Sequence, residues 1–109
     1  MKYVKAARIS ALTPGNKMLL TLEGRTILLV NIQNAYYAID NRCPHMGGSL
    51  YDGKLEGSQI ICPRHGSVFD VTTGKAVAGG KLLFMKIKVR DAQSYPVKTE
   101  GEDILIGIE

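Results

Sequence analysis

The sequence predicts an all-β fold, a small antiparallel sandwich or barrel. Turn-forming dipeptides recur at short intervals, from Glu23-Gly24 and Asp40-Asn41 through Asp52-Gly53, Glu56-Gly57, Thr73-Gly74 and Gly79-Gly80 to Glu100-Gly101. Between them, apolar and polar residues alternate with the period of two that puts successive side chains on opposite faces of a strand. No window keeps a helical apolar stripe, and glycines interrupt most long segments.

The elements follow in order. A first strand is expected over residues 4–9, before the turn Pro14-Gly15-Asn16. Strands over 18–22 and 26–32 are separated by Glu23-Gly24. In the second of these, Leu28, Val30 and Ile32 share one face, with Asn31 and Gln33 on the other. The strand 35–39 places Tyr36 beside Tyr37, so one is expected inside and one outside, both in structural roles. Short strands follow at 59–62 and 68–70. Over 83–90, Leu83, Met85, Ile87 and Val89 oppose Lys86, Lys88 and Arg90. A strand at 95–99 precedes the last, 104–108, with the stripe Ile104, Ile106 and Ile108.

Composition is that of an ordinary globular chain, 45% hydrophobic and 22% charged. A length of 109 residues suits one domain, 1–109, with room for a core. There is no repeat, low-complexity tract or linker. The start MKYVKAARISAL has no sustained apolar stretch, so no signal peptide is expected. The apolar runs ILLV and LLFM fall far short of a membrane span, which makes a cytoplasmic protein the expectation. The net charge of +4 is spread along the chain. Its densest group, Lys81, Lys86, Lys88 and Arg90, alternates like a solvated strand face, which argues against nucleic acid. A basic face that docks an acidic redox partner fits the same charges.

The chemistry is concentrated in two stretches. The chain has two cysteines and two histidines, and they form Cys43-x-His45, sixteen residues, then Cys62-x-x-His65. One disulfide is conceivable, but in a reducing compartment paired Cys and His point to a metal. Each pair sits in a loop rich in Gly and Pro. Glycine lets backbone approach a metal group and aim N–H at sulfur, and Pro44 and Pro63 stiffen the loops. Two choices remain. Structural zinc takes four ligands on one ion, usually with like ligands paired at C-x₂₋₄-C or H-x₃₋₅-H spacing. A [2Fe–2S] centre with two Cys on one iron and two His on the other takes one of each from each loop.

C-P-H-x-G-x16-C-P-x-H-G over residues 43–66 resembles the Rieske motif C-x-H-x15–17-C-x-x-H, and the surrounding strands are compatible from end to end. The length resembles that of free-standing Rieske ferredoxins that feed ring-hydroxylating oxygenases, or of nitrite reductase small-subunit-like proteins. The resemblance implies a small β domain with its cluster loops at one end. It implies that Cys43 and Cys62 bind the inner iron as thiolates. His45 and His65 would bind the outer iron as neutral imidazoles near the tip, and Gly47, Gly48, Arg64, Gly66 and Ser67 would surround them. The cytochrome bc-type relatives carry an extra loop disulfide, and Gly48 and Arg64 stand at those places here. They also carry a tyrosine whose hydroxyl bonds a ligand sulfur. Here that position is Phe69, while Ser67 is kept. Hydrogen bonds to the sulfurs favour the reduced cluster, so the loss of one puts the expected midpoint low in the Rieske range, on the order of −150 mV. Arg64, as a cation, pushes the other way.

Family members commonly shield the cluster with a third, proline-containing loop. Residues 74–81 contain no proline, so Gly79-Gly80 is expected either as a flexible cover or as a plain turn between strands. Gly74-Lys75-Ala76 is no phosphate-binding loop. No histidine remains to serve as a base, nor for a mononuclear iron site of two His and a carboxylate. The resemblance therefore implies a one-electron carrier rather than an enzyme, taking electrons from a flavin reductase and giving them to an oxygenase. The alternatives are a nitrite reductase-like subunit and a zinc-stabilised binding module. Two thiolates offset the charge of the oxidised cluster core, so the formal total stays at +4 and falls to +3 on reduction.

Overall fold

The computed structural model describes residues 1–44, 48–63, 66–79 and 90–109. Among them the strands are β1 (Lys2–Arg8), β2 (Lys17–Leu22), β3 (Arg25–Ile32), β4 (Ala35–Asp40), β5 (Lys54–Glu56), β6 (Gln59–Ile61), β7 (Ser67–Asp70), β8 (Ala76–Gly79), β9 (Ser94–Tyr95), β10 (Val97–Glu100) and β11 (Asp103–Ile108). All pairings are antiparallel, in three sheets of order β1-β11-β10, β2-β3-β4-β9 and β5-β6-β7-β8. The only helical segments described are single 3₁₀ turns, Ile9–Ala11 and Leu50–Asp52. The expected all-β architecture is thus the observed one.

The middle sheet explains the layering. Ile27 and Leu29 of β3 pack with Leu12, Tyr95, Ile104, Ile106 and Ile108, while Leu28 and Val30 pack with Leu50, Ile60, Phe69 and Val71. Both faces of β3 are therefore covered, and its polar face proves to be a second buried face. Asn31 is 1% exposed and bonded, its Nδ2 donating to Leu12 O at 2.8 Å and its Oδ1 accepting from Asn34 N at 2.8 Å. Gln33 has left the strand: with Asn34 it takes positive φ, 52° and 71°, in the two-residue turn to β4. The same layering corrects the expectation for the tyrosine pair. Both are half-buried, Tyr37 against one cluster and Tyr36 against the other.

Three other boundaries differ. Pro96 has no N–H to continue a ladder, and the expected single strand 95–99 changes sheet there: β9 pairs with β4 and β10 with β11. Strand β5 was too short to show alternation. Residues 76–79, expected as cover or turn, form β8 against β7, with Gly79 opposite Ser67. Gly80 and the expected strand 83–90, Arg90 excepted, lie outside the described residues.

Candidate metal centre

The first loop leaves β4 at Asp40 and returns in the 3₁₀ turn Leu50–Asp52. Its two stems are tied by Asn41, which is 6% exposed and uses all of its polar groups. Its N–H donates to Thr26 O at 3.0 Å, and its carbonyl accepts from Leu50 N at 2.8 Å. The side-chain Nδ2 donates to Ser49 Oγ at 2.9 Å, and Oδ1 accepts from Tyr51 N at 2.8 Å. Arg42 bridges Ser49, and Cys43 N donates to Gly48 O at 2.8 Å. By composition Asp40-Asn41 is a turn dipeptide. In fact Asp40 ends a strand and Asn41 is a clamp on the loop that carries Cys43.

The second loop joins β6 to β7. Cys62 N donates to Ser67 O at 2.7 Å and Gly66 N to Cys62 O at 3.1 Å, closing a tight turn in which Gly66 holds φ +75°. The stems of the two loops meet at Gly53. A Cβ there would lie 2.0 Å from Ile61 O, one residue before Cys62. Asp52-Gly53 was legible as a turn, but this glycine serves close approach rather than positive φ.

The result is one buried cluster holding both thiols. Cys43 and Cys62 are each 1% exposed and pack with Leu50, Ile60 and Phe69. Ser67 is also 1% exposed, and its Oγ has no hydrogen-bond partner among the described residues. A buried hydroxyl left unpaired is costly, so a ligand-supplied acceptor is the natural explanation. The donor set fits a thiolate-bound cluster: two buried thiols from clamped loops, one spare hydroxyl, and the apolar ring of Phe69 where a second donor could have stood. His45, Gly47, Arg64 and His65 lie outside the described residues. Beside the first stem, the Tyr95 hydroxyl donates to Asp40 Oδ1. Burial, then that hydrogen bond, pushes the Tyr95 phenol above its ordinary range.

Fold and site together define a small all-β domain that brings two cysteine-bearing loops into one buried cluster. A model of the Rieske [2Fe-2S] domain matches residues 2–82, and the chain belongs to that family, whose cofactor is the Rieske-type [2Fe–2S] cluster. It is 33% identical over 108 residues to the ferredoxin component of the naphthalene 1,2-dioxygenase system of Pseudomonas putida, covering 99% of this chain and 97% of that one. Among solved structures it is similar to the ferredoxin of carbazole 1,9a-dioxygenase from Nocardioides aromaticivorans IC177, with TM-score 0.87 and 29% identity over the full length of both. It is also similar to the ferredoxin of Sphingomonas yanoikuyae B1, with TM-score 0.85 and 25% identity over 99% of this chain and all of that one.

Proposed function

We propose that this chain is a one-electron carrier, the ferredoxin component of an oxygenase system. It takes electrons from a flavin reductase and delivers them to a terminal oxygenase. The observation that carries the proposal is the convergence of Cys43 and Cys62, each 1% exposed, beside the unpaired Ser67 hydroxyl. When bound, the cluster supplies a reversible one-electron couple. Cys43 and Cys62 would hold one iron as thiolates, and His45 and His65 would hold the other as neutral imidazoles. Ser67 would donate to a cluster sulfur, and Gly47, Gly48, Arg64 and Gly66 would be its neighbours in the two loops. Near-full-length similarity to an oxygenase-system ferredoxin favours this reading over a nitrite reductase-like subunit. We place the chain in the cytoplasm as one domain, 1–109. No helix among the described residues is long and apolar enough to cross a membrane.

Spectroscopy tests the proposal. The purified protein is expected to be coloured, with two irons and two acid-labile sulfides per chain. Its midpoint is expected low in the Rieske range, about −150 mV, and a value above about +100 mV would overturn the low-potential assignment. Cys62→Ser removes the colour and the iron. Colourless wild-type protein holding one zinc and no sulfide would instead establish the zinc-stabilised module.

A further inference from the structure

The flank of the first loop carries two guanidiniums that form no ion pair among the described residues. Arg42, immediately before Cys43, is exposed and makes no ion pair among the described residues. With Arg25, Asp40, Gln93 and Tyr95 it lines a cleft of about 270 Å³. Arg25 lies over the Tyr95 ring, 5.8 Å from its centroid, and also makes no ion pair among the described residues. Asp40, the carboxylate that lines the cleft, already accepts from the Tyr95 hydroxyl. Two guanidiniums therefore share one engaged carboxylate in the cleft lining, with Glu109 acting on Arg25 from outside that lining.

The described ion pairs lie elsewhere and all use lysines: Lys2–Glu23, Lys5–Asp103, Lys54–Glu56 and Lys98–Glu100. A guanidinium is a planar fork suited to bidentate carboxylate pairing, and it is less strongly hydrated than an ammonium. The net charge of +4 adds a long-range pull of the same sign.

We propose that the Arg25–Arg42 cleft is a docking surface for the acidic face of a redox partner, whose Asp or Glu side chains pair with the two guanidiniums and seat the partner against the Cys43 loop. The proposal rests on the electron-carrier reading and adds where and by what chemistry the partner is held. Complementary charge at such a place speeds encounter and fixes orientation more than it adds affinity.

An anionic oxidant reports the local charge. Reduced holoprotein is mixed with ferricyanide in a stopped-flow instrument. One electron leaves the cluster, ferricyanide becomes ferrocyanide, and no proton moves. The wild-type second-order rate is expected to fall as salt rises. Arg42→Gln and Arg25→Gln are each expected to slow the low-salt rate about three- to tenfold, the scale of one charge acting on a trivalent anion at short range in water. Lys98→Gln removes the same charge from β10 and is expected to leave the rate nearly unchanged. Polyglutamate is expected to slow the wild type and to lose that effect in both arginine variants. Arg25→Gln lies outside the loop, so it keeps the test valid if Arg42→Gln disturbs cluster loading.

Equal slowing by Arg25→Gln and Lys98→Gln would mean that only net charge matters, and would overturn the proposal. So would arginine variants still inhibited by polyglutamate. A failure of the carrier reading looks different: no reducible centre would be present to mix.

Discussion

The two sides of β3 make different uses of one strand. On one side Ile27 and Leu29 meet Ile104, Ile106 and Ile108, each no more than 1% exposed, in a wholly apolar contact. On the other side Leu28 and Val30 meet a cluster that includes Cys43 and Cys62, with the unpaired Ser67 Oγ nearby. The first side is stabilised mainly by packing, with Asn31 at its end bonded to Leu12 O and Asn34 N. The second is shaped by hydrogen bonds in its loop stems, through Asn41, Gly48 and Ser67. Stability and redox chemistry are thus separated by the thickness of a sheet.

The largest effect expected from breaking this division is on the apolar side. Ile106 is 0% exposed, and Ile106→Ala should cost about 2–5 kcal/mol of folding stability by removing buried methyl groups and leaving a cavity. The midpoint potential should stay at the wild-type value, because the substitution lies across the sheet from both thiols. Denaturant unfolding of the holoprotein and a redox titration check both halves. A potential that moved with the stability would show that the two sides are coupled.

What the sequence revealed follows the same division. The β11 stripe was readable because its alternation is clean, with Ile104, Ile106 and Ile108 all inside. The two cysteine loops stood out because thiol and imidazole are rare and specific ligands, and the structure brings Cys43 and Cys62 into one buried cluster. Only one face of β3 was readable, because Asn31 looks like a solvent residue until its partners Leu12 and Asn34 are known. Asn41 was missed for a related reason. An Asp-Asn pair after a strand has the composition of a turn, and only the long-range contacts to Thr26, Ser49 and Tyr51 make it a clamp. Its position two residues before a ligand-type cysteine was the one available signal.

Asn41→Leu sharpens the comparison from the other side, with an intermediate effect. The apolar side chain fills similar space but leaves Tyr51 N–H without its acceptor and Ser49 Oγ without its donor. Each orphaned group costs about 1–3 kcal/mol if it stays buried. The loss should appear as faster iron release to a chelator and a broadened electron paramagnetic resonance signal of the reduced protein. Asn41→Asp keeps the acceptor for Tyr51 N–H and should recover part of the retention. If Asn41→Leu lost global stability but kept the wild-type signal and iron-release rate, Asn41 would be a fold residue and not a support of the centre.

Ser67→Ala should have the smallest effect on stability, and its two effects should run in opposite directions. Without the cluster, the Ser67 hydroxyl is a buried donor with no partner among the described residues. Removing it relieves a desolvation cost, so the apoprotein should be as stable as wild type or slightly more so. In the proposed holoprotein the hydroxyl would donate to a cluster sulfur, and that bond would strengthen as reduction adds negative charge. Losing a charge-assisted bond worth about 1.5–3 kcal/mol should lower the midpoint by at most about 60–130 mV for a one-electron couple, because only the part of the bond gained on reduction counts. Thermal melts of the apoprotein beside redox titrations of the holoprotein measure the two signs separately. A destabilised apoprotein with an unchanged potential would reverse both, and would make Ser67 a packing residue of the second side rather than part of its chemistry.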